Sequence, residues 1–203
     1  MQAAKNAIAA DFDGVEIHGA NGYLLDQFRC PYLNDRRDAY GGSLENRCRL
    51  HLDIAREVAA AIGKERVGIR LSPLGQANDM QPDPEPTATY AHLAGELQKI
   101  GLVYLHLYDQ SMSWIHDPAN ELLKMLRGKF TNALMLCGGF DRAKSEAALA
   151  ASSGDLIAIG KPFISNPDLV SRLRQGVEIA PWDSKTFYLG GHSGYLDYPS
   201  FSA

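Results

Sequence analysis

Short apolar runs alternate with helical patterns along this chain, and that rhythm limits its fold more than any other feature. The runs are Gly14–Ile17, Val67–Leu71, Val103–Leu107, Ala133–Leu136 and Leu156–Ile159, each four or five residues long. Their Val, Ile and Leu content suits strands of a parallel sheet buried on both faces. Between them lie helical stripes. Ala3–Ala10 reads as a first helix. Ser43 is placed to cap the next, with Glu45 in its first turn and Leu44, Cys48, Leu52, Ala55, Val58, Ala59 and Ile62 at helical spacing. Thr87 is expected to cap a helix carrying Tyr90, Leu93, Ala94, Leu97 and Ile100. Further helices are predicted over Ala119–Leu126, Arg142–Ala151 and Asp168–Gln175. Strand–helix alternation implies right-handed βαβ units. Two architectures accept it: a doubly wound open sheet, or part of a closed (β/α)8 barrel, whose full form takes about 250 residues.

Two connections are long, Gly19–Gly42 and Ser72–Pro86, and both leave the C-terminal ends of strands, where α/β proteins collect their function. Residues 181–203 show neither period and are expected to form an irregular tail packed over a single domain, 1–203. The net charge of −4 offers no basic footprint for nucleic acid or anionic membrane. No run approaches the ~18 apolar residues of a membrane span. The opening MQAAKNAIAADFDG lacks the pattern of a secretory leader. Cys30, Cys48 and Cys137 are scattered and odd in number, which fits a reducing cytoplasm rather than a disulfide framework.

Three groups of residues have the chemistry of a site. His18 ends the first run, and Gly19 and Gly22 let the chain turn behind it. Such a turn aims His18 and Asn21 at one point, where two donors stabilise charge on a carbonyl oxygen. Tyr23 offers a phenolic proton nearby. The plainer alternative is a strand-end histidine beside an Asn-Gly turn. Arg70 stands inside an apolar strand, where it needs either an anionic ligand or a structural partner such as Glu16. Gly138 and Gly139, and then Gly160 with Lys161, follow strands and precede helices, as phosphate cradles do. Neither matches a dinucleotide or Walker pattern. A metal set from His18, His106, Asp109 and His116 lacks ligand spacing, and no metal is expected.

In this order the motifs resemble the old yellow enzyme family of FMN-dependent ene-reductases. The strings are DGVEIHGANGYLLDQF (Asp13–Phe28), NDRRDAYGGSLENRCRL (Asn34–Leu50), VGIRLSP (Val67–Pro73), CGGFDR (Cys137–Arg142), IGKPFISNPDLVSRL (Ile159–Leu173) and TFYLGGHSGYLDYP (Thr186–Pro199). The resemblance implies an α/β fold, a partial TIM barrel comprising roughly strands four to eight, with the family's first three strands absent. It implies FMN as cofactor and NADPH or NADH as hydride donor. Substrates would be α,β-unsaturated carbonyls, quinones or nitro compounds. By resemblance His18 and Asn21 hold the substrate oxygen and Tyr23 donates the proton. Arg70 sits by the flavin ring. Gly138, Gly139, Gly160 and Lys161 take the phosphate, with Lys161 where the family usually has arginine. Phe187 and Tyr188 line the substrate pocket. Two other readings stay open: a truncated half-barrel that binds no flavin unless a second chain or self-association completes it, and a small phosphate-binding module.

Overall fold

The structure, a computed structural model, describes residues 1–201. Its elements run α1 (Gln2–Ala9), β1 (Val15–His18), α2 (Leu24–Arg29), α3 (Leu44–Ile62), β2 (Val67–Leu71), α4 (Pro86–Ile100) and β3 (Tyr104–Tyr108). They continue with α5 (Glu121–Lys129), β4 (Ala133–Cys137), α6 (Arg142–Ala150), β5 (Leu156–Ala158), α7 (Lys161–Ser165) and α8 (Leu169–Gln175). Local chemistry sets several boundaries. Ser43 Oγ accepts from the Asn46 N–H at 3.3 Å and opens α3, and Gly63, at φ 93°, closes it. Asn120 and Asp141 cap α5 and α6 with their side chains.

Thr87 does not cap α4, contrary to its sequence expectation. The helix starts one residue earlier, at Pro86, with Glu85 before it. Proline is pre-shaped for the first helical position, where no N–H is needed. Two short helices, α2 and α7, lie in stretches where the sequence shows no period, because six and five residues are too few to display one.

All five strands are parallel and pair in strict sequence order, β1-β2-β3-β4-β5. A doubly wound sheet reverses its order at a switch point. This one does not, so every crossover turns the same way and the sheet is an arc of a (β/α) barrel.

The core lies on one side of that arc. Val15, Ile17, Val67, Ile69, Leu71, Leu105, Leu107, Leu134, Leu136 and Ile157 pack against the helices. Leu105, Leu107, Leu134 and Leu136 have no exposed surface; burial of each contributes about 1.5–3 kcal/mol. The alternate residues face away. In register across the sheet they are Glu16, Gly68, Tyr104 and Ala133 in one row, and His18, Arg70, His106, Met135 and Leu156 in the next. The expectation of strands buried in apolar contact on both faces is therefore corrected. Side chains alternate along a strand, and the second face is polar and partly open. Gly68 belongs to it for a steric reason: a Cβ there would overlap the Tyr104 ring. Among the described residues no helix is long and apolar enough to cross a membrane.

The tail from Pro181 carries one turn of 3-10 helix, Ser184–Thr186. It is anchored to α8: Arg172 donates to the carbonyl of Pro199 at 3.3 Å, and the Phe201 N–H donates to Asp168 at 2.7 Å.

Candidate functional site

A cleft of about 1230 Å³ opens at the C-terminal ends of the strands. That exceeds the ~300–1,000 Å³ of typical ligand pockets. Asn21, Arg70, Gly138, Gly139, Gly160 and Lys161 all line it, although they come from different βα units. Cys137 and Arg142, the ends of the CGGFDR string, line it too, as do Tyr108 and Trp182, which the sequence reading did not single out.

Arg70 projects from the polar face of β2. Its guanidinium stacks 4.7 Å above the Tyr108 ring, and Nη2 lies 3.9 Å from Cys137 Sγ. Its Nε is buried without a partner. The ion pair with Glu16 considered from sequence is not formed. Glu16 is engaged instead by His106, whose Nδ1 lies 2.8 Å from its carboxylate. Burial works against the charge of Glu16, but His106, Tyr104 and Arg70 outweigh it and hold its carboxyl below the ordinary value. Burial pushes the Tyr104 hydroxyl up to about 12. Arg70 thus lines the cleft with its buried Nε unpartnered. Burial also raises the Cys137 thiol, with Arg70 opposing it.

His18 is the register partner of Arg70 at the rim of β1. Burial and the charge of Arg70 lower its pKa, so the imidazole is neutral at neutral pH. Its ring meets that of Tyr23 at 5.2 Å and a 55° tilt. Tyr23 is 56% exposed and opens α2. His18 and Tyr23 pair with each other but are not among the residues lining the cleft, whereas Asn21 is. Asn21 takes a left-handed backbone, φ 59°, and Gly22 follows at 72°. Its side-chain Oδ1 is buried without a partner.

The two glycine turns, which follow the neighbouring strands β4 and β5, line the same cleft. Gly138 and Gly139 have φ of 142° and 64°, conformations that disfavour any Cβ, and a Cβ on Gly138 would press on the carbonyl of Asp109. Gly160 has open space where a Cβ would stand. Lys161 begins α7 and Arg142 begins α6. The lining carboxylate Asp141 is taken up by the Lys144 N–H at 2.8 Å, and Arg142 itself pairs with Glu146 at 2.8 Å. A cleft lined by Asn21 and Arg70 together with two bare glycine turns and Lys161 fits a flat heterocycle carrying a phosphate.

Phe187 and Tyr188 are not brought to the cleft. Their rings contact each other at 6.4 Å, and Tyr188 is 95% exposed. From the same tail it is Trp182 that reaches the lining. Among the described residues no three His, Cys, Asp or Glu side chains gather as a metal site.

Behind His18–Tyr23 lies a buried polar layer that the sequence reading missed. Asp26 accepts from the Gly22 N–H at 3.0 Å and pairs with Arg29 at 2.8 Å. Arg29 also holds Asp83 at 2.6 Å and lies 5.0 Å from the Tyr90 ring. Burial opposes the charge of Arg29, but Tyr90, Asp26 and Asp83 outweigh it and raise its pKa. The one available signal was charge spacing: Asp26 and Arg29 stand three apart in a short segment that also holds Leu24, Leu25 and Phe28.

The chain matches the model of the NADH:flavin oxidoreductase / NADH oxidase family over residues 1–179. It is 41% identical over 204 residues to 12-oxophytodienoate reductase 2 of Arabidopsis thaliana, covering 99% of this chain and 54% of that protein. It is also 41% identical over 197 residues to a Leishmania infantum protein named a probable flavin mononucleotide-dependent alkene reductase, covering 97% of this chain and 53% of that one. The structure of morphinone reductase in complex with tetrahydroNAD superposes with a TM-score of 0.92 at 41% identity, over 99% of this chain and 54% of that one. The chain thus spans about half the length of these relatives. With a family match over most of its length and a near-complete superposition, the chain belongs to the NADH:flavin oxidoreductase / NADH oxidase family, that of the old yellow enzymes.

Proposed function

We propose that the cleft binds FMN and that the site reduces the C=C bond of small α,β-unsaturated carbonyl compounds, with NADPH or NADH as reductant. The observation that carries this reading is the cleft's polarity. Arg70, with a buried unpartnered Nε, lines the same cleft as the paired glycine turns, Lys161 and Arg142. Arg70 would stabilise negative charge on the reduced ring. Gly138, Gly139 and Gly160 would offer N–H groups to the phosphate, and Lys161 its charge. Lysine keeps that charge but lacks the arginine fork.

When bound, FMN supplies the redox chemistry, carrying hydride from the nicotinamide to the substrate alkene. The chain's own residues hold the substrate and move the proton. His18, neutral, and Asn21 donate hydrogen bonds to the substrate oxygen, which polarises the alkene. Tyr23, packed on His18, donates the proton to the α-carbon. The names of relatives support the substrate class: 12-oxophytodienoate reductase and a flavin mononucleotide-dependent alkene reductase. Quinones and nitro compounds offer the same oxygen acceptors.

Titrating the chain with FMN tests the reading. Saturable quenching of flavin fluorescence is expected, followed by anaerobic bleaching with NADPH and recovery of the yellow colour on adding cyclohexenone. A chain that leaves FMN fluorescence unchanged at saturating protein sinks the proposal for this chain alone.

A further inference from the structure

We propose that Ser72 is a positioning residue for the substrate clamp: it relays the buried Asp26 carboxylate to the Asn21 N–H and so holds Asn21 in its left-handed conformation. The inference rests on the reading of Asn21 as a ligand to substrate oxygen.

A left-handed backbone is disfavoured for a residue with a Cβ, for asparagine less than for most, and surroundings that hold both its backbone groups stabilise it. At Asn21, φ 59°, both backbone polar groups are held by side chains of the loop after β2. The Asn21 N–H donates to Ser72 Oγ at 2.7 Å, and the Asn21 carbonyl accepts from Asn78 Nδ2 at 2.8 Å. With its main chain held, Asn21 keeps its side chain at the cleft lining, where the Nδ2 amide is the group that can donate to a substrate oxygen.

Ser72 can do this because its single proton is committed elsewhere. Its hydroxyl donates to Asp26 Oδ2 at 3.3 Å, which leaves a lone pair for the Asn21 N–H. Asp26 takes the next amide directly, from Gly22. Two consecutive N–H groups of the left-handed turn therefore end on one carboxylate, one of them through Ser72. A chain of hydrogen bonds ending on a buried charge is stronger than its links taken singly. Ser72 is itself fixed: it is 1% exposed, and its carbonyl accepts from the Tyr90 hydroxyl at 3.3 Å and the Gly75 N–H at 3.1 Å. Arg29 secures Asp26 from behind. The hydroxyl touches no cleft surface, so its effect on a ligand must pass through Asn21.

The test uses the full chain and the variants Ser72→Ala, Asn21→Ala and the double variant. Site-resolved amide exchange is read first. Ser72→Ala should speed exchange at Asn21 while the Ile69 and Leu105 amides stay protected, which shows that the sheet is intact. Binding of p-hydroxybenzaldehyde to the FMN-loaded chain is read second. Ser72→Ala should weaken it roughly tenfold, the value of one ordinary hydrogen bond. In the Asn21→Ala background the same change should have no further effect. Unchanged exchange at Asn21 overturns the relay. So does an equal weakening with and without the Asn21 side chain. If the wild-type chain fails to bind the probe, the substrate reading falls, and exchange at Asn21 still decides the relay.

Discussion

His51 Nε2 lies 3.1 Å from the carbonyl oxygen of Gly19, thirty-two residues earlier in the chain. The imidazole is fully buried on α3. Packing is tight here: a Cβ on Gly19 would touch the His51 ring. A neutral ring donating from Nε2 ties the residue after His18 to the helix layer.

That contact predicts a pH-dependent stability. Burial lowers the His51 pKa to about 4 from the ordinary 6.5. As pH falls, the unfolded chain takes up this proton first. Stability is therefore intact above about 6.5 and is lost as pH drops towards 4. At ~1.36 kcal/mol per pKa unit the loss approaches about 3 kcal/mol. Urea melts at pH 7 and 4.5 would show it. His51→Gln retains a donor without the titration and should flatten the difference by a similar amount; equal pH dependence in both proteins contradicts the assignment.

The left-handed turn predicts a backbone cost at Gly22. Its φ is 72°, and a Cβ there would overlap the Ala77 carbonyl and crowd Met80. Gly22→Ala should lose about 1–3 kcal/mol through strain alone, with more from the overlap. A denaturation midpoint within error of wild type refutes the account.

Arg70 predicts an effect on flavin affinity. Charge-assisted hydrogen bonds are worth about 1.5–3 kcal/mol, so Arg70→Met should weaken FMN binding by one to two orders of magnitude. Fluorescence titration reads this directly. Affinity and flavin spectrum both unchanged would place Arg70 outside the ring site.

Tyr23 predicts a split between half-reactions. Tyr23→Phe should slow reoxidation by cyclohexenone about 10²-fold, in the range of general acid catalysis. Flavin reduction by NADPH should keep its rate, because that step needs no proton from Tyr23. Parallel loss in both steps makes the ring of Tyr23, packed on His18, a structural element only.

The strands and most helices were readable because their apolar residues repeat with the right period. Val67–Leu71 and Arg142 at the start of α6 fall where the pattern puts them. Thr87 misled because a threonine near a helix start resembles a cap, whereas Pro86 had already begun the helix. The polar face of the sheet was harder to see. Glu16, His18, Arg70 and His106 alternate with core residues, but four- and five-residue strands are too short to separate alternation from a continuous apolar run. Asn21, Arg70 and the glycine turns were legible as chemistry, and the structure brings them to one cleft. Ser72, Asp26 and His51 were not, because their importance lies in partners distant in sequence. Nothing local marks Ser72 as the acceptor for Asn21.

Those distances also bear on the order of folding. The bonds from the Asn21 N–H to Ser72, from Asn78 to the Asn21 carbonyl and from Arg29 to Asp83 span 51, 57 and 54 residues. Contacts of long sequence separation form late, after the loop between them has been closed. The turn at Asn21 can lock only once the loop beyond β2 has docked against it. A growing chain that has not yet emerged past Asp83 therefore carries the whole Gly19–Tyr23 sequence without its shape. The shape of the Gly19–Tyr23 turn thus depends on two distant stretches of the chain closing on each other.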